Sequence, residues 1–463
     1  MDANIRFVLG KTPLAEAVWL LFENVLTDSF LGDFYESHRG CCYEREFSFA
    51  NIVHLVNDAL LRNESRAQPT LVDHQQSELC PASEQAFYGK LRRMPVSLSE
   101  AFLLQATSRL RPWMPKSPAV ELPKSLDAFR ILAFDGKTFK KAAKRLKPVR
   151  GHAGRALGGR ALVALELSTG LLVGMAADPD AHVNEAKLVP RLLPMLREHV
   201  PGTHLYVADR GFGDLAQFKR CTDQGHHCVL RLHKKSVFTP DPTQPVRTGI
   251  DDRGRPWKDE IGTLSSSREG SRPARRITGE RSGDEPLQIV TDLLDADRYP
   301  ANDLLELYRK RWNIESVFQK ISDVFHLTHL IGSSPKAVIF QAAFCMVIYN
   351  LLQVIQAIVA DTQNRKPSSI STYHLFKDLH KQLNGLFLFF TPTQLIQVFQ
   401  TRANEIEDLR NHLYAILQAA WHKRWIKSPP KKRHAKKVKH QRGHAGHFSI
   451  HRALLENKKA KDV

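Results

Sequence analysis

Residues 129–138 read Phe-Arg-Ile-Leu-Ala-Phe-Asp-Gly-Lys-Thr, and the pattern of the chain changes here. The apolar residues before Asp135 predict a strand that ends at this aspartate. A second apolar run, at 204–208, also leads to an aspartate, Asp209. Because α/β sheets place their sites at the ends of strands, Asp135 and Asp209 are candidate site residues. A turn-capping role is an equally good interpretation of either aspartate alone.

Strand-like and helix-like segments alternate around these two aspartates. Further strands are predicted at 160–167 and 171–176, and helices at 184–199 and 214–222. Strands followed by alternating helices and strands indicate an α/β fold, in which helices pack against the sheet.

The charge of the chain is strongly positive. Its 463 residues include 67 Lys and Arg against 48 Asp and Glu, a formal net charge of +19. Such a surface favours an acidic polymer as partner, with nucleic acid ahead of an acidic membrane surface.

Residues 423–463 carry fourteen Lys or Arg against Glu456 and Asp462, which predicts a disordered tail that contacts nucleic acid. The first residues lack the pattern of a secretory signal, so a cytoplasmic protein without a membrane partner is expected.

Composition divides the chain into six regions. They are a helical N-terminal DNA-binding domain at 1–125, the first part of the sheet core at 126–232, a β-rich insertion at 233–300, the second part of the core at 301–362, a C-terminal helical region at 363–425 and a basic, disordered tail at 426–463. Periodicity predicts helices at 49–61, 83–93, 302–325, 336–362 and 394–424, and strands at 275–278 and 287–291 inside the insertion.

Two segments suggest other kinds of protein but have ordinary explanations. The apolar run at 337–360 has the length of a membrane span, yet interrupting Gln and Asn residues favour a buried helix. Residues 221–228 contain two cysteines and two histidines, but no second ligand pair follows at a zinc spacing. A helix end, a turn and a strand explain that segment better. The six cysteines of the chain form no recognisable disulfide framework.

A third carboxylate, Glu315, lies in a helical segment that also carries aromatic and basic residues. Oxygen ligands from two strands and a helix suit Mg²⁺ or Mn²⁺, which prefer carboxylate and water to sulfur or imidazole. Two such ions can activate an attacking water or hydroxyl and stabilise the leaving oxygen at phosphorus. Asp135, Asp209 and Glu315 therefore predict a two-ion phosphoryl-transfer site.

Three sequence blocks carry a family resemblance. They are Asp-Gly-Lys-Thr at 135–138, Asp-Arg-Gly-Phe at 209–212, and Tyr-x2-Arg-x3-Glu at Tyr308, Arg311 and Glu315. In this order and spacing the chain resembles the DDE transposases of the IS4 group of bacterial insertion sequences.

The resemblance implies a particular fold and activity. The core is expected to be RNase H-like, interrupted by the β-rich insertion, with Asp135, Asp209 and Glu315 as metal ligands. Tyr308 and Arg311 are expected to contact transposon-end DNA. The expected partners are the terminal inverted repeats, target DNA and a second copy of the chain on DNA, and the reaction is cleavage and strand transfer. Such a protein is expected to be associated with the nucleoid in the cytoplasm.

One departure from the family pattern concerns a cation. The IS4 signature places a lysine seven residues after its glutamate, where this chain has Ser322. Lys320 lies about 140° around the helix from Glu315, whereas Gln319 and Ser322 share its face and can hydrogen-bond to phosphate. Gln319 and Ser322 are therefore candidate DNA contacts.

Two tryptophans receive different interpretations. Trp312 is predicted to lie in the core. Trp257, in the polar part of the insertion, is the better candidate to stack on an unpaired base, although local packing is the preferred interpretation.

Two other functions remain open. A catalytically inactive, sequence-specific DNA-binding remnant would keep the fold, but the intact acidic trio argues against it. Another RNase H-like nuclease, such as a junction resolvase, is the second alternative, but the Tyr-Arg-Glu block and the long insertion favour a transposase.

Overall fold

Strand β1, which contains Asp135, lies inside a mixed sheet of eleven strands. The computed structural model describes all residues except 1–2, 45–46, 62–66, 78–82, 141, 143, 281–284, 325–331, 429–445 and 461–463. The strands are β1 Arg130–Lys140, β2 Arg155–Glu166, β3 Leu172–Asp178, β4 His204–Ala208, β5 His227–Arg231, β6 Val237–Pro240, β7 Arg247–Ile250, β8 Pro256–Ser266, β9 Gly270–Gly279, β10 Leu287–Thr291 and β11 His447–Ser449.

The first five strands have the order β3-β2-β1-β4-β5. β2 pairs antiparallel with both β1 and β3, whereas β4 lies parallel to β1 and β5 parallel to β4. Three antiparallel strands followed by two parallel strands in this order are the topology of an RNase H-like fold. The predicted fold class is therefore confirmed.

The insertion extends the same sheet. β10 pairs with β5, β9 with β10, and β8 with β9, while β6 and β7 both pair with β8. The strand-like runs predicted at 275–278 and 287–291 lie in β9 and β10. The β-rich character expected of residues 233–300 is thus confirmed, and these strands continue the core sheet instead of forming a second one.

The helices surround this sheet. They are α1 Ala3–Lys11, α2 Pro13–Val25, α3 Asp28–His38, α4 Phe49–Leu61, α5 Ala67–Gln76, α6 Glu84–Arg93, α7 Val96–Leu110, α8 Val189–His199, α9 Leu215–Thr222, α10 Ala301–Lys310, α11 Asn313–Val324, α12 Pro335–Thr362, α13 Thr372–Phe389, α14 Pro392–Glu405, α15 Leu409–Ala419 and α16 Ile450–Lys459. The predictions at 49–61 and 83–93 correspond to α4 and α6, and Ser83 caps α6 by accepting a hydrogen bond from the Ala86 amide.

Alternation along the strands sends side chains to two cores. Leu132 and Phe134 of β1 pack in the core that contains residues of α8 and α9. Ile131 and Ala133 pack in the other core, which contains the apolar residues of α12. The central strands are therefore covered on both faces.

α12 is the central helix of the second core. It is the one helix among the described residues long and apolar enough to span a membrane, and 94% of its most apolar window is buried. A polar residue of this helix, Asn350, is paired inside the protein. Its side-chain Oδ1 accepts from the backbone amide of Leu172, and its Nδ2 donates to the backbone carbonyl of Leu172, both at 2.8 Å. Asn350 thus satisfies a backbone position of β3. The prediction of a buried helix is confirmed.

Two long helices predicted from periodicity are each broken. The segment 302–325 forms α10 and α11, which are separated at Arg311 and Trp312, where the backbone makes shorter-range hydrogen bonds to Tyr308 and Arg309. The segment 394–424 forms α14 and α15, because Asp408 starts a new helix by capping the Asn411 amide at 2.9 Å. Prediction of a single helix was wrong in both segments.

The end of the chain is more ordered than its charge suggests. β11 pairs parallel with residues 155–157 of β2, beyond the part of β2 that β3 covers. Ile450 and Ala453 of α16 are buried. The prediction of a disordered tail is therefore wrong for 447–459, because this segment covers an otherwise open strand edge. Residues 429–445 lie outside the described residues.

Candidate active site

Asp135 and Asp209 lie at the same level on neighbouring strands. The parallel pairing of β1 with β4 ends at Ala133 and Val207, and each aspartate follows its paired residue by two positions. Because side chains alternate along a strand, both aspartates continue the row that faces α12 and α11. β1 itself runs on to Lys140, so the prediction that Asp135 ends its strand was wrong. It is the partner strand β4 that ends here.

Backbone amides hold both carboxylates. Oδ1 of Asp135 accepts from the Gly136 amide at 2.9 Å, and Oδ1 of Asp209 accepts from the Gly211 amide at 2.8 Å. Asp209 thereby caps the short 3₁₀ turn at 210–212. Asp209 therefore caps a turn, as one interpretation of the sequence predicts. Capping does not exclude a role in the site, because Asp209 also lies on the strand next to that of Asp135.

Arg311 joins Glu315 to this pair. Its Nη2 donates to Oε1 of Glu315 at 3.0 Å, and its Nη1 lies 3.6 Å from Oδ2 of Asp135. The Arg311 side chain is 7% exposed. Its Nε and Nη1 have no hydrogen-bond partner among the described residues. A buried guanidinium therefore links the carboxylates of β1 and α11 while two of its nitrogens remain unsatisfied.

The charges of these groups act on one another. Burial raises the pKa of Asp135 to about 6, the Arg311 guanidinium lowers it, and the Asp209 and Glu315 carboxylates raise it. Carboxylates influence each other in this way only when they are close and poorly screened by water. The charge of Asp135 is therefore coupled to those of Asp209 and Glu315.

These carboxylates suit a divalent cation by chemistry. Carboxylate oxygens are the ligands that Mg²⁺ and Mn²⁺ prefer, and buried like charges require a compensating cation. Within the described ranges, no three His, Cys, Asp or Glu side chains are already spaced to enclose an ion. Arg311 supplies the positive charge between Asp135 and Glu315 in this arrangement.

Sequence comparison agrees with this geometry. Residues 127–351 match the model of a protein family described as the transposase DDE domain. The matched region, 225 of the 463 residues, is similar to transposase DDE domains. The match contains Asp135, Asp209 and Glu315, and domains of this family use divalent metal ions and act on DNA.

Two further comparisons accompany the match to the DDE domain. One solved structure with a similar arrangement is a piggyBac transposase synaptic complex with hairpin DNA, determined by cryo-electron microscopy. The two chains share 12% identity with a TM-score of 0.41, and the similarity covers 86% of this chain and 85% of the other. Comparison with curated proteins finds no match.

Two aromatic residues of the matched region lie on either side of Arg311. Tyr308 is 6% exposed, and its ring lies under the guanidinium at 6.0 Å. Trp312 is 62% exposed, so the prediction that it lies in the core was wrong. The break between α10 and α11 explains the difference, because Trp312 belongs to the turn and not to a helical face. Contact of Tyr308 and Arg311 with transposon-end DNA stays a prediction.

The remaining candidate residues of α11 face different surroundings. Gln319 is exposed, while the Ser322 hydroxyl donates to the Phe318 carbonyl at 2.8 Å. The pKa of Lys320 is lowered to about 8 by burial and by the charge of Lys427. Lys320 thus lies near Lys427 of the C-terminal region. The helical angle predicted only that it faces away from Glu315. DNA contacts by Gln319 and Ser322 stay predictions.

Trp257 packs within the insertion. It pairs with Gly249 across β7 and β8, and a Cβ atom at Gly249 would lie 2.4 Å from its ring. The ring therefore packs closely against Gly249 of the neighbouring strand, which agrees with the packing interpretation. Its stacking on a DNA base stays a prediction.

Sequence reasoning missed two groups near this site. Arg210, Arg231 and Lys234 converge on the Glu285 carboxylate, at 2.6, 3.9 and 3.2 Å. Only Arg210 lies in a recognised block, so spacing alone does not reveal this cation cluster. The second group is Glu185, whose carboxylate lies directly over Gly136.

Proposed function

We propose that this protein is a transposase that cleaves DNA at the terminal inverted repeats of an IS4-like insertion sequence and joins the ends to target DNA. One observation carries the proposal: Asp135 and Asp209 lie side by side where β4 ends, and Arg311 links Glu315 to Asp135, all within the region that is similar to transposase DDE domains.

Asp135, Asp209 and Glu315 would hold the metal. Two Mg²⁺ or Mn²⁺ ions supply an activated nucleophile and stabilisation of the leaving oxygen in an in-line displacement at phosphorus. The protein holds both aspartates rigidly on two neighbouring central strands. It also supplies a partly buried environment, which strengthens electrostatic interactions.

Arg311 has a separate role in this proposal. Its unsatisfied Nε and Nη1 are donors suited to phosphate oxygens, which a guanidinium recognises in a fixed geometry. It balances the Asp135 and Glu315 carboxylates before the metal and DNA bind, and the phosphate group attracts it afterwards. Tyr308 supports the guanidinium from below.

The cations near Asp209 would hold the DNA backbone. Arg210, Arg231 and Lys234 share Glu285 as partner, and a phosphate group offers the same charge and geometry. The basic tail adds sequence-independent attraction. The chain would act as a homodimer on its two DNA ends, in the bacterial cytoplasm near the nucleoid.

The experiment is a cleavage map. Purified protein is incubated with DNA that carries its own element's ends, with Mg²⁺ or with EDTA, and the strand breaks are located. Breaks at the element's ends that require Mg²⁺ are the expected result. Binding without breaks would indicate a remnant that has lost catalysis, and preferential cutting of four-way junctions would indicate a resolvase.

A further inference from the structure

Three cations next to Asp209 share one carboxylate. Nη2 of Arg210 lies 2.6 Å from Oε2 of Glu285, and Nη2 of Arg231 lies 3.9 Å from the same oxygen. Nζ of Lys234 lies 3.2 Å from Oε1. The Glu285 side chain is 53% exposed, so solvent and ligands can reach the group. Three positive charges face one negative charge, and the group therefore keeps an excess of positive charge.

The two segments that carry these cations contact each other through their backbones at Gly213. A Cβ atom at Gly213 would lie 1.8 Å from the Arg231 carbonyl oxygen, so only glycine permits this approach. The Gly213 carbonyl accepts from the His233 amide at 3.0 Å and from the Ser236 hydroxyl at 3.1 Å. The backbones of Arg210 and Arg231 are therefore fixed relative to each other before a ligand binds.

The cation group lies one strand away from Asp209. The parallel pairing of β4 with β5 places Asp209 and Arg231 at the same level, directly after the last paired residues. Neighbouring strands are about 4.8 Å apart. Burial raises the pKa of Tyr308, and the charges of Arg311 and Arg231 both lower it, so Arg231 also acts on the candidate site. Because successive phosphates of a DNA strand rise by only about 3.4 Å along the duplex, a phosphate close to the reacting one can reach these cations.

Glu285 offers these cations what a phosphate diester offers, namely two oxygens and one negative charge. Hydrogen bonds from Arg210 and Lys234 lower the pKa of the Glu285 carboxyl, which is therefore ionised at neutral pH. The 3.9 Å separation from Arg231 is longer than a hydrogen bond, so the carboxylate does not bring all three cations to bonding distance. Guanidinium and ammonium groups donate to carboxylate and phosphate oxygens alike. A phosphate that uses the same donors must displace Glu285.

We propose that Arg210, Arg231 and Lys234 form a binding site for a DNA phosphate near the reacting one, and that Glu285 competes with the DNA for this site. The inference rests on the proposed function, because it needs a DNA strand at the ends of β4 and β5. It adds a competitor within the chain, which holds the affinity for DNA below the value that the cations alone would give. The contact is to the DNA backbone and therefore carries no sequence information.

DNA binding in EDTA tests this competition without cleavage. Fluorescence anisotropy of a labelled end duplex gives the affinity of wild type, Glu285→Gln and two controls at physiological salt. Exposed Glu280 begins the same connection between β9 and β10, and Glu198, whose side chain is 76% exposed, lies on α8. We expect Glu285→Gln to bind about 5-fold more tightly than wild type, because an exposed ion pair no longer has to be broken. Both controls should stay within about 2-fold of wild type, since salt screens exposed charges that lie away from the DNA.

A second background shows whether the gain depends on the cations. Arg210→Gln/Lys234→Gln removes the two nearest partners of Glu285 and should bind DNA more weakly than wild type, because phosphate contacts are lost. Adding Glu285→Gln to this background should change the affinity no more than Glu280→Gln does, since the carboxylate and the cations act as one interaction. Thermal melting in EDTA checks that each variant folds. If the double variant does not fold, Lys234→Gln alone serves as the background, and the gain from Glu285→Gln should be smaller there than in wild type.

The outcomes separate this inference from the proposed function. If wild type binds end DNA and Glu285→Gln binds it equally or more weakly, Glu285 is no competitor and the proposed function stands. An equal gain from Glu280→Gln would assign the effect to general charge, and an undiminished gain in the changed background would show that the cations are not involved. Either result overturns the inference. If wild type binds no DNA even at low salt, the proposed function is wrong and the inference falls with it.

Discussion

The carboxylate of Asp135 is negatively charged and largely buried, and burial disfavours its charge. Its carboxylate is largely buried beside Asp209 and Glu315, and one guanidinium only partly compensates it. The ionised form is therefore disfavoured in the folded protein without metal. A site that binds cations has this property, because its negative charge is stabilised only when the cation is present.

Replacing Asp135 tests this conflict through stability. A carboxyl pKa raised from 3.8 to about 6 contributes stability below pH 3.8 that is lost as the pH rises through about 6. Asp135→Asn cannot ionise, so in EDTA at pH 8 it should be more stable than wild type by up to about 3 kcal/mol, and the gain should disappear towards pH 4. Denaturant unfolding measures the difference, with exposed Asp127→Asn as control. An equal or lower stability of Asp135→Asn at pH 8 would contradict the assigned burial.

The missing lysine of the IS4 pattern gives a second prediction. Lys320 faces Lys427, so Lys320→Ala should change cleavage little. Ser322→Lys adds a cation on the face of Glu315 and should tighten binding of cleaved end DNA while steepening its salt dependence, because one more counterion is released. Affinity across a salt series and cleavage rate are measured for both variants. Loss of cleavage in Lys320→Ala, with no effect of Ser322→Lys, would assign the cationic role to Lys320.

At the scale of elements, sequence predicted the buried segments better than their ends. The apolar run of β1 was clear, but its continuation to Lys140 is set by pairing with β2, a contact that no local pattern contains. The helix that carries Glu315 was also found, but its break at Arg311 was not. At the break, the Arg311 side chain contacts the carboxylates of Asp135 on β1 and Glu315 on α11. These tertiary contacts are not visible in the helical periodicity of the sequence.

The buried amide of α12 gives a prediction about an element. Asn350→Ala removes the acceptor of the buried Leu172 amide and leaves the Leu172 carbonyl with the Thr107 hydroxyl, at 3.1 Å, as its side-chain donor. The free energy of unfolding should fall by about 1–3 kcal/mol, the cost of one unsatisfied buried group. Gln353→Ala, at a half-buried position of the same helix, is the control and should cost much less. Denaturant unfolding distinguishes the two, and equal losses would mean that Asn350 acts only by filling space.

At the scale of the whole molecule, segments far apart in the described sequence meet at one sheet. Arg452 of α16 forms an ion pair with Asp180 at 2.8 Å, and the Ser449 hydroxyl accepts from the Ala181 amide at 3.3 Å. The C-terminal segment thus supports the loop that leads to Glu185. The charge of this segment predicted only a disordered tail. The pairing of β11 with β2 joins residues almost 300 positions apart, so no local sequence pattern indicates it.

The basic tail can be tested without disturbing this support. Changing Lys431, Lys432, Arg433, Lys436, Lys437 and Lys439 to Gln removes six cations and leaves β11 and α16 intact. Binding should weaken for all DNA sequences, and the slope of log affinity against log salt should become shallower by about 0.9 for each lost phosphate contact. Competition between end DNA and unrelated DNA measures the effect. A loss confined to end DNA would make the tail a reader of sequence.

The candidate site was predicted only in part. Three sequence blocks in order predicted Asp135, Asp209 and Glu315, and the structure places the two aspartates on neighbouring strands and Arg311 between Asp135 and Glu315. Their role as metal ligands stays a prediction. Glu185 and the cations around Glu285 were not found, since neither lies in a block and only the fold joins them. Trp312 was misjudged because the helix was assumed to be continuous.

The rate of Mg²⁺-dependent cleavage of end DNA tests the central claim most directly. Asp135→Asn, Asp209→Asn and Glu315→Gln should each lose at least about 100-fold in cleavage rate, the scale of a single electrostatic contributor to a transition state, while end-DNA binding and folding are kept. Glu198→Gln should cleave as wild type does. Wild-type cleavage by any of the three variants, under conditions where Glu198→Gln is also active, would contradict a single metal-dependent site built from Asp135, Asp209 and Glu315.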